Sequence, residues 1–339
     1  MKTTIVKSDI VDRLKTSEKA LGTIKQGILG CMHIQAMEGR LRLSTTTGDV
    51  YVDTYVEAET EEGGTALVDG RTFISAIRKS NEVIKLEVNK SLFLTSGRSR
   101  YKLGVLDDSF PEFPETGDHM FSVHSDVLNK ATRETSYVVD ESDDGWKGGV
   151  YFTDGRLVAT DSSRLAITEI DIECEGLLLP KKALDLMHTL EGELSLSYNG
   201  EMVTVQSDKA HVASRIIDVP YVNYESIVPS SNPIHVEVSR TELLAALGRS
   251  TVVDDVGAVT LASTGGMLEV STPHGIHEFH EAVPVQHSGD GSSTYGSRII
   301  MDFLRSVGDD TVIFEFNEDM KAAMFKADGV QYVLMPMRV

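Results

Sequence analysis

The feature that most constrains this chain is that its pattern occurs three times at a spacing of about 115 residues. Ser8-Asp9 precedes the apolar set Ile10, Val11, Leu14; Ser125-Asp126 precedes Val127, Leu128, Ala131; Ser239 precedes Leu243, Leu244, Leu247. Each reads as a capped amphipathic helix, the last with Glu242 completing a capping box. A second helix signal recurs as Phe73, Ile74, Ile77, then Ala183, Leu184, Met187, then Ile299, Ile300, Phe303, all at i, i+1, i+4. After each come two alternating runs split by an Asn-led turn, at Asn89-Lys90, Asn199-Gly200 and Asn317-Glu318. A final strand closes each unit, around 101–106, 212–217 and 330–335. Such a period is far too long for a solenoid, so each copy is expected to be a domain, with seams at 113–117 and 229–233. The expected division is 1–117, 118–231 and 232–339, each an α+β domain with two helices on antiparallel sheet.

The chain holds 32 basic and 52 acidic residues, a net charge of −20. A uniformly acidic surface would repel nucleic acid. The charge is not uniform. Helical segments at 8–20, 70–79, 125–135, 180–190, 239–250 and 296–306 each have zero or positive net charge, reaching +3 at 70–79. A basic helical layer therefore backs onto an acidic strand layer. Helices gathered on a concave side would attract phosphates through Lys25, Arg71, Arg78, Lys79, Lys130, Arg133, Lys181, Lys182, Arg240, Arg249, Arg298 and Arg305. None of these forms a base-reading group, so sequence-independent backbone contact is what they offer.

The two cysteines, Cys31 and Cys174, lack CxxC spacing and fit free thiols in a reducing cytoplasm. No apolar run approaches the roughly 18 residues that span a bilayer, and the first residues hold no signal-peptide core.

The last line, Tyr332-Val333-Leu334-Met335-Pro336-Met337-Arg338-Val339, stays apolar almost to its end. Either it is packed as a last core strand, ended by Pro336, or it lines a groove. This tail resembles the end of the bacterial β sliding clamp, the processivity subunit of DNA polymerase III. Four further stretches are similar to that family in order: Ser96 to Tyr101 with Phe110-Pro111, Val158 to Ala166, Leu179 to Lys182, and Tyr224 to Pro229. The resemblance spans nearly the whole chain. It implies a non-enzymatic, cofactor-free homodimeric ring, helices inward, that encircles double-stranded DNA. Its implied partners are the replicative DNA polymerase and an ATP-driven clamp loader.

The resemblance also implies a partner-peptide pocket formed by Thr160, Arg164, Leu165, Pro229, Val333, Leu334, Met335, Pro336, Met337 and Arg338. Adaptable Met side chains and a carboxylate-seeking Arg suit that role. Ser162-Ser163 stands where the family has Gly-His, and Ile299 where an aromatic is usual, so a different peptide preference is expected. The dimer contact is expected near Val252 and Val253.

Two rival readings remain. One is a metal-dependent enzyme using His274, His277 and His280; yet the sequence has HExH in an expected strand, which splits the histidines between faces, where zinc proteases need HExxH on a helix. Asp140 to Gly145 mimics half a calcium loop, but Tyr151 occupies the position of the bidentate Glu. The other rival is a non-DNA oligomeric scaffold. Trp146, the lone tryptophan, could belong to the core or flank the pocket.

Overall fold

The computed structural model describes the chain except Thr23, Glu175, residues 254–256, 273–276, Asp319 and Val339, and the side chains of residues 24–26. The six expected helices form: α1 Lys7–Lys19, α2 Gly70–Lys79, α3 Ser125–Arg133, α4 Lys181–Met187, α5 Arg240–Ser250 and α6 Ser297–Ser306. Each follows directly on a strand. Asp69 caps α2 by accepting from Thr72 N, and Ser239 caps α5 by accepting from Glu242 N. The expected Ser8-Asp9 cap is not one. Helix α1 begins two residues earlier, after an extended Val6 without a side-chain cap, because the entering strand Lys2–Val6 runs straight into it.

Contacts group the chain into two compact units, Met1–Asn129 with Lys182–Ile216, and Lys130–Lys181 with Ile217–Val339. The first holds a five-stranded and an eight-stranded sheet, the second a twelve-stranded sheet. The middle third of the chain divides between them for a backbone reason. Its strand Ala210–Arg215 pairs antiparallel with Val50–Glu57, while its strand Arg164–Glu169 pairs antiparallel with Val330–Leu334. Every strand pairing among the described residues is antiparallel, and the Asn-led turns join neighbouring strands as expected.

In the first unit Ile10 and Leu14 of α1 and Phe73, Ile74 and Ile77 of α2 are buried in one cluster with Ile84, Leu86, Leu92 and Leu94. The period-2 strand pattern meets the i, i+4 helix pattern there, which is what an α+β core requires. Gly117 lies so close to the carbonyl of Tyr198 that no β-carbon fits, so the seam residue brings the strand Asp118–His124 against Glu193–Tyr198. In the second unit aromatic rings form the core. Phe303 of α6 stacks on Tyr332 at 5.1 Å, and Phe314 stacks on Phe325 at 4.4 Å.

Candidate functional site

A three-strand face of the second unit carries the site. The strands Arg156–Thr160, Arg164–Glu169 and Val330–Leu334 lie side by side, so that Thr160, Leu165 and Val333 form one cross-strand row. Alternation points the same face through Val158, Ile167 and Gln331 in the next row. Above the first row is a mainly apolar cavity of about 170 Å³, lined by Thr160, Arg164, Leu165, Val333, Leu334 and Met335 together with Trp146, Ser162, Ser163, Val222 and Ile227. Six residues implied by the resemblance are thus brought together. Pro229 lines a neighbouring cavity instead. Beyond Met335, the tail is held by hydrogen bonds from Met335 N to Ser163 O at 3.2 Å and from Met337 N to Thr294 O at 2.8 Å. Pro336 and Met337 are half-buried and Arg338 is exposed. The last strand ends at Leu334, one residue before the expected end, and Met335 is 48% exposed at the cavity rim.

The turn at 160–164 is built around Asp161. Its Oδ1 accepts from Ser163 N, Ser163 Oγ and Arg164 N at 2.9, 2.7 and 3.0 Å. Arg164 Nε donates to Asp161 Oδ2 at 2.8 Å and Nη1 donates to Asp302 Oδ2 of α6 at 2.9 Å. Burial pushes the Asp161 carboxyl up, but hydrogen bonds from Ser163 and Arg164 outweigh it and hold the group below its ordinary range. Burial likewise opposes the Arg164 charge, and Tyr332 with the Asp302 and Asp161 carboxylates reverses that, fixing the guanidinium as a cation. Arg164 is therefore a brace of the cavity wall, already committed to two carboxylates. Ser162 adopts φ +82°, the left-handed region that a glycine would enter freely.

Sequence reasoning did not assign Val222 or Ile227 to the wall. Both lie in the irregular link around the short helical turn Tyr224–Ser226, where no periodicity marks a buried face. Trp146 is half-buried against Tyr221, edge to face at 6.4 Å, and takes the flanking position.

The basic side chains divide by engagement. Arg78 is bidentate to Glu18, Lys130 lies 3.9 Å from Glu134, Lys181 3.9 Å from Glu141, and Arg305 4.0 Å from Asp302. Arg249 Nε donates to Glu281 at 2.7 Å, and Lys182 donates to Thr47 Oγ1 at 3.2 Å. Arg240 is half-buried and donates to the carbonyls of Asp309 and Leu304, satisfying the open end of α6. Arg71, Lys79, Arg133 and Arg298 are exposed and make no ion pair among the described residues. The side chain of Lys25 lies outside the described residues.

Val252 and Val253 form the turn after α5, with Val252 83% exposed. His274 lies outside the described residues. His277 sits in a bend before the strand His280–Ser288, so the expected strand through it is absent, and no metal-binding group of three or more His, Cys, Asp or Glu occurs among the described residues. Cys31 and Cys174 are buried free thiols. No helix among the described residues is long and apolar enough to cross a membrane.

Solved structures share this architecture over its full length. The DNA polymerase III subunit beta from Pseudomonas aeruginosa superimposes with a TM-score of 0.92 at 22% identity, covering 100% of both chains. The DNA polymerase sliding clamp from Bacillus subtilis gives 0.92 at 20% identity, covering 100% of this chain and 99% of that one. The fold is the α+β fold of the DNA clamps. Residues 1–115 match the sequence family described as DNA polymerase III beta subunit, N-terminal domain. The beta sliding clamp of Staphylococcus epidermidis is 24% identical over 378 aligned residues, covering 100% of this chain and 99% of the relative; that of Staphylococcus aureus is 23% identical with the same coverage. The chain is thus similar along its whole length, in sequence and in fold, to beta sliding clamps of DNA polymerase III, and its first third matches that subunit's N-terminal domain.

Proposed function

We propose that two copies of this chain close head to tail into a ring of six domains, divided in each copy at 1–117, 118–231 and 232–339, around double-stranded DNA. The helices would line the ring, and the replicative polymerase and clamp loader would dock a short peptide in the cavity beside the C-terminal strand. The observation that carries this reading is the charge distribution. Each of the six α-helices is net positive in a chain of net charge −20, and Arg71, Lys79, Arg133 and Arg298 stay free of ion pairs among the described residues. Weak, sequence-blind phosphate contacts suit a ring that must slide; encirclement does the holding. A polymerase docked on the ring stays with its template through effective concentration.

The dimer contact has support in a sheet edge. The strand Ser99–Gly104 is the edge of its sheet, and Arg98, Arg100 and Lys102 beside it are exposed with no ion pair among the described residues. The strand Gly291–Gly296 is an edge of the other unit's sheet, with Asp290 and Glu318 close by. Thr294 O there already accepts from Met337 N and Ser292 N donates to Glu318, so the open edge at Ser99–Gly104 is the one that a second copy would cover, its basic side chains meeting acidic ones. The turn at Val252-Val253 is a second candidate for this contact.

The test loads the protein onto nicked circular DNA with its loader and then linearises the circle. Retention on the circle and release from the free ends is the expected result. Equal retention on both would sink the ring, and a monomer mass in solution would sink the dimer.

A further inference from the structure

The apolar cavity does not end where its first row of residues ends. A second cavity of about 280 Å³ adjoins it on the same sheet face, floored by Ile167 and Gln331 and walled by Arg156, Glu169, Tyr224 and Glu225. The two floors are set by strand register. Leu165 pairs with Val333, Ile167 pairs with Gln331, and Glu169 pairs with Arg156. Leu165 and Ile167 are two residues apart on one strand, so the cavity floors repeat at about 6.6 Å. An extended peptide laid along these strands presents its own same-face side chains at that period.

The chemistry changes sharply between the two floors. Leu165 and Val333 are buried among apolar neighbours in the first. In the second, Arg156 meets Glu225 at 3.5 Å in a pair whose two side chains are both exposed. Glu169 is exposed and has no ion pair among the described residues. One guanidinium thus faces two carboxylates, leaving the cavity with an uncompensated negative charge.

We infer that the partner peptide of this chain carries a basic side chain two residues from its apolar anchor, seated in the second cavity against Glu169 and Glu225. This rests on the peptide-docking reading above and gives it a specificity. The long aliphatic stem of a Lys or Arg can lie over Ile167 while its charged head reaches the carboxylates at the rim. An acidic residue in that position meets two like charges, and an alanine leaves the floor uncovered.

The test uses three synthetic peptides, acetyl-Ser-Xaa-Ser-Leu-Ser-Xaa-Ser-amide with Xaa as Lys, Ala or Glu, so that either chain direction is sampled. Binding to the full chain is measured by calorimetry at low salt. The Lys peptide is expected to bind about two- to fivefold more tightly than the Ala peptide, the range of an exposed ion pair. The Glu peptide is expected to be the weakest, and the Lys advantage should vanish in Glu169→Gln with Glu225→Gln while the Ala peptide is unaffected. Equal binding of the three peptides, or preference for Glu, overturns the inference and leaves peptide docking standing. Silence from all three overturns the docking reading, and the inference with it.

Discussion

Arg164 Nη1 donates to Asp302 Oδ2 at 2.9 Å, tying the turn after Thr160 to the middle of α6. The same guanidinium holds Asp161 through Nε, so one side chain anchors the turn that walls the cavity to α6 behind it. Replacing it with alanine leaves two partly buried carboxylates without their donor. Arg164→Ala is expected to lower unfolding stability by about 1–3 kcal/mol and to weaken any peptide bound in the cavity. Urea denaturation of the full chain and of Asp302→Asn, which should show a smaller loss, checks the assignment.

Ser162 is held at φ +82° inside that turn. A β-carbon there costs about 1–2 kcal/mol, partly offset in glycine by about 0.5–1 kcal/mol of chain entropy. Ser162→Gly is therefore expected to stabilise the protein by up to about 1 kcal/mol. Ser163→Gly should do the reverse, because its hydroxyl donates to Asp161 at 2.7 Å. The two melting curves should move in opposite directions.

His33, His211 and Asp161 contribute two windows of pH dependence with the same sign. Burial holds the imidazoles of His33 and His211 below their ordinary range, with Arg42 adding to it in both. A depressed histidine binds its proton less readily folded than unfolded, so stability is lost as pH falls from about 6.5 through the folded values. Asp161 is also depressed, and its contribution is present above about pH 3.9 and lost as pH falls through its lower folded value. Midpoint denaturant concentration measured from pH 8 to pH 3 should fall in two steps. His33→Gln with His211→Gln should flatten the first, and Asp161→Asn the second.

Arg78 is occupied by Glu18, whereas Lys79 beside it has no ion pair among the described residues. Lys79→Glu and Arg298→Glu are each expected to reduce DNA retention and to lower the salt dependence of log K by about 0.9 per contact removed. Glu18→Ala frees Arg78 and should raise retention. A salt titration of loaded protein separates these outcomes, and unchanged slopes in all three variants would remove these residues from any DNA path.

Phe303 lies between Tyr332 at 5.1 Å and Phe325 at 5.5 Å and is fully buried. Phe303→Ala should cost about 3–5 kcal/mol in thermal or chemical unfolding. Since Tyr332 also donates to Ile299 O at 3.1 Å, the last strand should loosen with it.

The helices at 70–79 and 297–306 could be read from the sequence almost to the residue, because an apolar stripe at helical spacing can be satisfied only by a buried helix face. The same holds for the turns at Asn89, Asn199 and Asn317, whose residue types suit tight reversals. The resemblance to the β clamps, and not local chemistry, pointed to the half of the cavity made by Thr160, Arg164 and Leu165 and by Val333 to Met335, two short stretches that adjoin in register. What folding alone settled were facts about partners distant in the chain. That Arg78 is neutralised by Glu18, that Arg240 closes the end of α6, and that Val222 and Ile227 complete an apolar wall each depend on residues dozens of positions apart. A sequence fixes which side chains carry charge and which must leave water; only the packed chain decides which charges are already spent on one another and which remain for a ligand.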